Sequence, residues 1–179
     1  MLVPGASLGL RVFEARYLDL VSECSRHGDG FGVCLLADGD ETGAAGTPAA
    51  VGTQAVIEDF GTGGDGVLTL SVRGARRFRM TRTRMRDNGL RVADVDWLPP
   101  EGDDELRPEH ALLGTVLGRI LEQAGGEHAR GPSTRLDDAA WVGWRLVELL
   151  PLSDAQRQAL LEAPDPHVRL DRLLALMPD

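Results

Sequence analysis

The sequence predicts an α+β fold: a β-rich first half that closes or half-closes into a small barrel carrying one short helix, followed by a helical second half. Three observations lead there. Between Leu8 and Trp97, five or six short apolar segments are separated by turns rich in Gly, Asp and Asn, the spacing of an antiparallel barrel and not of a layered α/β sheet. After Pro99-Pro100 the apolar period lengthens to that of helices. At 179 residues the chain can bury one core, or two small ones sharing an interface, and the change of period divides it into 1–100 and 101–179.

Leu8, Leu10 and Val12 alternate with Gly9 and Arg11, the period of a strand with one buried face. From Glu14 the period changes: Tyr17, Leu20, Val21 and Cys24 share one stripe of a short helix that His27-Gly28 can end. The elbow between them places Glu14 in the first helical turn, where unpaired N–H groups favour a carboxylate, with Arg16 within reach of it. Phe31 to Leu36 is a continuous apolar run after Gly-Asp-Gly and reads as a buried strand. Stretch 37–50, rich in Gly, Ala and Asp without periodicity, reads as a surface loop.

Val51 to Phe60 reads as the next strand, turned back by the Gly-rich stretch 61–66. In Val67 to Arg73, Leu68, Leu70 and Val72 face one way and Thr69, Ser71 and Arg73 the other. Gly74 interrupts the alternation as a bulge or bend, and Phe78 and Met80 resume the inner face with arginines between them. Asp87-Asn88-Gly89 marks a hairpin, after which Leu90, Val92, Val95 and Trp97 carry the last strand. In the second half, Pro108 suits a first helical position, and Leu113, Val116, Leu117, Ile120, Leu121 and Ala124 form a stripe stopped by Gly125-Gly126. Asp137 caps the next helix, where Trp141, Trp144, Leu146, Val147, Leu149 and Leu150 leave little polar face. Ser153 with Gln156 forms a capping box, and Asp165-Pro166 opens a closing helix with Leu170, Leu173, Leu174 and Met177 on its face.

All nineteen basic residues are arginine. Without lysine these residues cannot supply a P-loop, a Ser-Lys dyad or a Schiff base. The formal charge of −9 is uneven: residues 73–91 hold eight arginines against Asp87, giving +7 there and −16 elsewhere. No stretch reaches the roughly eighteen apolar residues of a membrane span, and no basic-then-apolar leader opens the chain. It therefore reads as soluble and cytoplasmic, with no membrane partner. Cys24 and Cys34 are too few for a disulfide framework and read as buried thiols.

Several motifs imitate chemistry. Gly5-Ala6-Ser7-Leu8-Gly9 fits a nucleophile elbow, but that turn needs a strand before it and a helix after it, and here a strand follows. Gly61-x-Gly63-x-x-Gly66 fits a dinucleotide fingerprint, yet it precedes a strand, so no helix N-terminus can meet a pyrophosphate. Cys24 and His27 lie close together, but His110, His128 and His167 are scattered and read as surface residues, so no metal site forms. Carboxylates cluster in loops such as Asp38 to Glu41 and Asp103 to Glu105, where water solvates them. No catalytic constellation and no cofactor is predicted.

One set of ordered segments resembles the N-terminal, substrate-binding domain of Lon, an ATP-dependent protease. It comprises Pro4-Gly5, Leu8-x-Leu10 and Phe13-Glu14-x-Arg16-Tyr17, then Gly52-Thr53-x-Ala55-x-Ile57. Asp65-Gly66-x-Leu68 running into Gly74-x-x-Arg77-Phe78 follows, then Ala93-x-Val95-x-Trp97-Leu98-Pro99. The helical stretch from Trp144-Arg145-Leu146 to Leu161, the Pro-Asp-Pro break and the Leu-rich end complete it, so nearly the whole chain takes part. Position 15 is Ala where many relatives have Pro, and only Met1, Leu2 and Val3 stand where relatives carry a further apolar strand segment. The resemblance implies a PUA-like β pseudo-barrel followed by an α-helical bundle, in a stand-alone form lacking the ATPase and protease halves. It also implies a non-enzymatic module that binds protein or peptide clients.

On that reading, apolar and charged groups at the barrel surface, and in a groove between barrel and bundle, capture unfolded or damaged protein segments. Glu14, Arg16 and Tyr17 are the candidate residues. Against them stands an internal role in which Glu14 and Arg16 pair and Tyr17 packs. A separate protease or chaperone remains open as a second partner, as does the oligomeric state. The alternative is RNA binding through Arg76, Arg77, Arg79, Arg82 and Arg84, because PUA-like barrels often bind RNA. Phe78 turns inward where RNA readers expose stacking aromatics, and the acidic remainder repels phosphate. A small-molecule sensor is a third reading, with no ligand indicated.

Overall fold

The computed structural model describes residues 1–36, 46–124 and 133–177. The chain forms two compact units, Met1–Pro99 and Pro100–Asp179. Residues 37–45 of the loop expected at 37–50, with its carboxylates, the Gly125-Gly126 helix stop and His128 lie outside the described residues.

The first unit holds strands β1 (Ser7–Val12), β2 (Phe31–Val33), β3 (Val51–Thr62), β4 (Leu68–Met85) and β5 (Arg91–Trp97), with helix α1 (Ala15–His27). Every pairing is antiparallel, in the order β1-β4-β3-β2, with β5 also on β4. Among the described residues no pairing joins β2 to β1 or β5, so the barrel is half-closed.

β4 is the hub. Its first half lies between β1 and β3, and from Phe78 onward β5 takes the place of β1 along the same edge. The exchange falls at Gly74, whose N–H donates to the Ala6 carbonyl while its own carbonyl accepts from the Gly5 N–H, both at 2.8 Å. A Cβ on Gly74 would lie 2.1 Å from the Val3 carbonyl oxygen, so only glycine lets the two backbones cross. The register slips between Gly74 and Arg77. The interruption expected at Gly74 is therefore a bulge within one continuous strand. Residues 1–6 form no strand; instead Leu2 and Val3 are buried beneath this crossing.

β3 joins β4, and β4 joins β5, by the same turn. Gly66 N–H donates to Gly63 O and Gly89 N–H to Arg86 O, each at 2.9 Å, and both closing glycines have φ of 80°. Asp65 and Asn88 each accept a bond from the backbone N–H two residues on. Asn88 itself stays at negative φ, which makes these type I turns closed by a glycine bulge. The expected strand at Phe31 to Leu36 is shorter than its apolar run. β2 stops at Val33, and Leu36 makes a single bridge to Pro48, which has no N–H to extend a ladder.

In the second unit, a 3₁₀ turn over Pro108–His110 leads into α2 (Ala111–Ala124), and another over Ser133–Asp137 into α3 (Ala139–Leu149). Helices α4 (Asp154–Leu161) and α5 (Pro166–Ala175) complete it. Asp138, not Asp137, caps α3 by accepting from the Trp141 N–H, because Asp137 ends the preceding turn. The capping box of Ser153 and Gln156 and the Asp165-Pro166 helix start form as the sequence reads. Leu113 and Leu117 of α2 are buried, as are Val142, Leu146 and Val147 of α3 and Leu170 and Leu173 of α5.

Among the described residues of this unit, Arg169 and His110 are polar side chains that lie inside. Arg169 is fully buried, pairs through both terminal nitrogens with the Glu101 carboxylate and stacks 3.2 Å from the centroid of Trp144, whose indole N–H also reaches Glu101 at 2.9 Å. His110, expected at the surface, is 1% exposed; its Nε2 meets Asp171 Oδ1 at 2.7 Å and its ring stacks on His167. The sequence hid this because a lone histidine carries no periodic signal, and its partners lie on α5.

Gly74→Ala is expected to cost about 1–3 kcal/mol through the forced backbone shift, lowering Tm by roughly 3–10 °C. Gly64→Ala, where an added Cβ meets nothing within 4 Å, should leave Tm unchanged in the same calorimetric scan. Glu101→Ala takes the carboxylate away from the buried Arg169 guanidinium, which should cost about 3–5 kcal/mol in urea unfolding.

Candidate functional site

The elbow singled out by sequence lies where the β4–β5 hairpin tip meets α1. Glu14 is the N-cap residue, one position before the expected first turn, and makes no side-chain cap bond. Its carboxylate turns instead to Arg16 at 2.8 Å. The Arg16 guanidinium lies 4.8 Å from the Tyr17 ring centroid and donates to the Gly89 carbonyl at 3.1 Å. One turn on, Asn88 donates to Asp19 at 3.3 Å, and Arg86 Nη1 donates to both Glu23 oxygens at 2.9 Å. Three residues of α1 thus pin the hairpin tip.

The hydrogen bond from Arg86 holds the Glu23 carboxyl below its ordinary pKa. A depressed carboxylate pKa means that this contact contributes above the ordinary value and is lost as pH falls through the folded one.

The structure brings Glu14, Arg16 and Tyr17 together, but as a clamp on Gly89 and not as three free side chains. Tyr17 leaves the buried stripe, which is reduced to Val21 and Cys24. Beside these half-exposed charged groups, apolar ones also face solvent: Phe13 is 74% exposed, and Tyr17 and Leu18 40% each. Sequence reasoning passed over Phe13 and Leu18, although Phe13 directly precedes the N-cap, a position where an apolar residue usually packs onto the helix.

The arginines of 73–91 are dispersed by the register. Arg77 is only 6% exposed, so it cannot meet a phosphate. Arg76 stacks on Trp97 at 4.4 Å from the centroid. Arg79, Arg82 and Arg84 share one face of the hairpin, where Asp96 and Asp94 on β5 stand opposite Arg79 and Arg82. Arg84 pairs with Asp94 at 3.1 Å, while Arg73 and Arg86 pair with Glu58 and Glu23. Counting charge along the chain gave +7; folding interleaves it with carboxylates from three other segments. Phe78 is buried over Gly32 and meets Trp97 edge-on, so it is not available for base stacking.

The motifs that imitate chemistry resolve as structure. Ser7 opens β1 opposite Arg73, and the glycines at 61–66 lie at the end of β3 and in its turn. Burial pushes the thiols of Cys24 and Cys34 above the ordinary cysteine pKa, which makes both poor nucleophiles. Among the described residues no cluster of three or more His, Cys, Asp or Glu could hold a metal ion, and no helix is long and apolar enough to cross a membrane.

The family model of the ATP-dependent protease La (LON) substrate-binding domain matches residues 1–179. The chain belongs to this family. A Lon N-terminal domain protein from Xanthomonas campestris, known as a crystal structure, is 58% identical, with a TM-score of 0.84 over 99% of this chain and 93% of that one. The N-terminal domain of Mycobacterium avium complex Lon protease shares the fold at 19% identity, with a TM-score of 0.64 over 98% of this chain and 91% of that one. Comparison with curated proteins returned no match. The matched Lon domain is a non-catalytic substrate-recognition module.

Arg16→Ala removes the bond to Gly89 and the partner of Glu14. Amide exchange at Gly89 and Leu90 is expected to quicken by roughly an order of magnitude, with exchange in β1 unchanged.

Proposed function

We propose that the chain captures apolar, extended segments of unfolded or damaged proteins, and that the elbow of its first unit takes part. The observation that carries this reading is the solvent-facing set Phe13, Tyr17 and Leu18 on a turn held by the Glu14–Arg16 pair and the Arg16–Gly89 bond. Apolar groups kept exposed on an ordered frame can bind without first paying to order themselves. Family membership adds to it, since these domains are substrate-binding. Glu14, Arg16 and Tyr17 then shape the site while Phe13 and Leu18 supply contact area. Arg77, being buried, takes no part in ligand contact. Both cysteines are unpaired, which suits a reducing compartment, and we place the chain in the cytoplasm.

The test is equilibrium binding of a carboxymethylated, permanently unfolded protein, compared with the same protein folded. Phe13→Ser and Leu18→Ser should each weaken capture of the unfolded form by roughly tenfold, the value of one buried apolar side chain, with Tm unchanged. Equal binding of both forms, or full binding by both variants, would sink the proposal.

A further inference from the structure

β4 runs past the start of β3. Its last contacts on that side are the Val51–Arg79 pairing and the Met80 N–H bond to Ala50; beyond them, with Thr81 at the register shift, Arg82–Met85 pairs with β5 alone among the described residues. All five of these residues are exposed. The closing bond of the hairpin, Arg86 N–H to Leu90 O, sets the phase of the antiparallel ladder. Arg82 and Arg84 turn their backbone groups toward β5, and Thr83 and Met85 turn theirs to the open side. Among the described residues these N–H and C=O groups have no strand partner, so the sheet offers them to another strand.

The two faces of this edge differ. Thr83 and Met85 share one with Met80, Val95 and Trp97, and Met85 is 58% exposed. Arg79, Arg82 and Arg84 share the other, where the carboxylates among the described residues are Asp96 and Asp94 on the β5 side. Arg84 meets Asp94 through one nitrogen, and among the described residues Arg82 has no ion pair at all. A guanidinium carries five donors in a fixed fork and can serve a carboxylate on each side.

We propose that Thr81–Met85 of β4 is a docking edge for an extended protein segment whose alternate residues are acidic and apolar. The segment adds as a strand, taking backbone bonds from Thr83 and Met85. Its carboxylates reach Arg82 and Arg84, and its apolar residues lie beside Met85. This deepens the proposed function by naming a class of client, and it rests on that reading.

The probe is a fluorescent short peptide of alternating Asp and Val, measured by anisotropy against the full chain. The comparisons are a peptide of the same composition with the aspartates in one block, and an alternating peptide with Arg in place of Asp. The alternating acidic peptide should bind at least roughly tenfold tighter than either. Arg82→Glu should abolish the preference. Thr83→Pro, which removes an N–H that has no strand partner, should weaken binding with Tm unchanged. Equal affinity for acidic and basic peptides overturns the proposal, as does indifference to both variants. A mixed RNA oligonucleotide that binds more tightly than the peptide, in a manner lost in Arg82→Glu, assigns the edge to nucleic acid and overturns it too. If wild type binds the unfolded protein and Arg82→Glu and Thr83→Pro bind it equally well, while the peptide does not bind even wild type, the edge assignment falls alone. If neither ligand binds wild type, the proposed function falls with it.

Discussion

The first unit depends on a crossing of two backbones at Gly74. One long strand has to serve β1 with its first half and β5 with its second, on the same edge, and the chain from Val3 to Ala6 passes over the point of exchange. No side chain fits there, since the Val3 carbonyl occupies the space of a Cβ. The bulge that follows adds twist, which bends the sheet toward a barrel and aims the hairpin at α1. Removing the crossing would leave β1 and β5 competing for one edge.

The second unit depends on an ion pair with almost no access to water. Arg169 reaches Glu101 with two nitrogens, the Leu160 carbonyl with a third, and the Trp144 ring with its face. Such a pair repays little of its desolvation as net stability, but leaving either partner alone is expensive. What it supplies is uniqueness: α3, α5 and the segment after Pro100 have one arrangement that satisfies all three groups. Gly143 stands where the arginine stem passes, an added Cβ there lying 3.2 Å from the Arg169 side chain.

These constraints leave the first unit with an ordered platform and unfinished surfaces. Polar contacts from Arg16, Asp19 and Glu23 tie the hairpin tip to α1, so the apolar groups beside them are held in place instead of collapsing inward. The same hairpin presents a strand edge that nothing among the described residues completes. A module that recognises chain segments instead of transforming them needs this combination: fixed geometry, exposed apolar area, and backbone groups with capacity to spare.

The sequence by itself determined the order and kind of the elements, the two turns closed by glycine, the caps at Ser153 and Asp165, the family, and the absence of lysine chemistry. Each of these is a local property, set by residue spacing or by a backbone angle that few residues adopt. Tertiary structure alone decided that Gly74 is a crossing point, that His110 and Arg169 are buried, that Arg77 is withdrawn, and that Glu14 and Arg16 serve as a clamp. It also paired Arg86, Arg73 and Arg84 with Glu23, Glu58 and Asp94. Those outcomes depend on which distant segment lies opposite, through strand register and helix packing, and neither is written in the spacing of neighbouring residues.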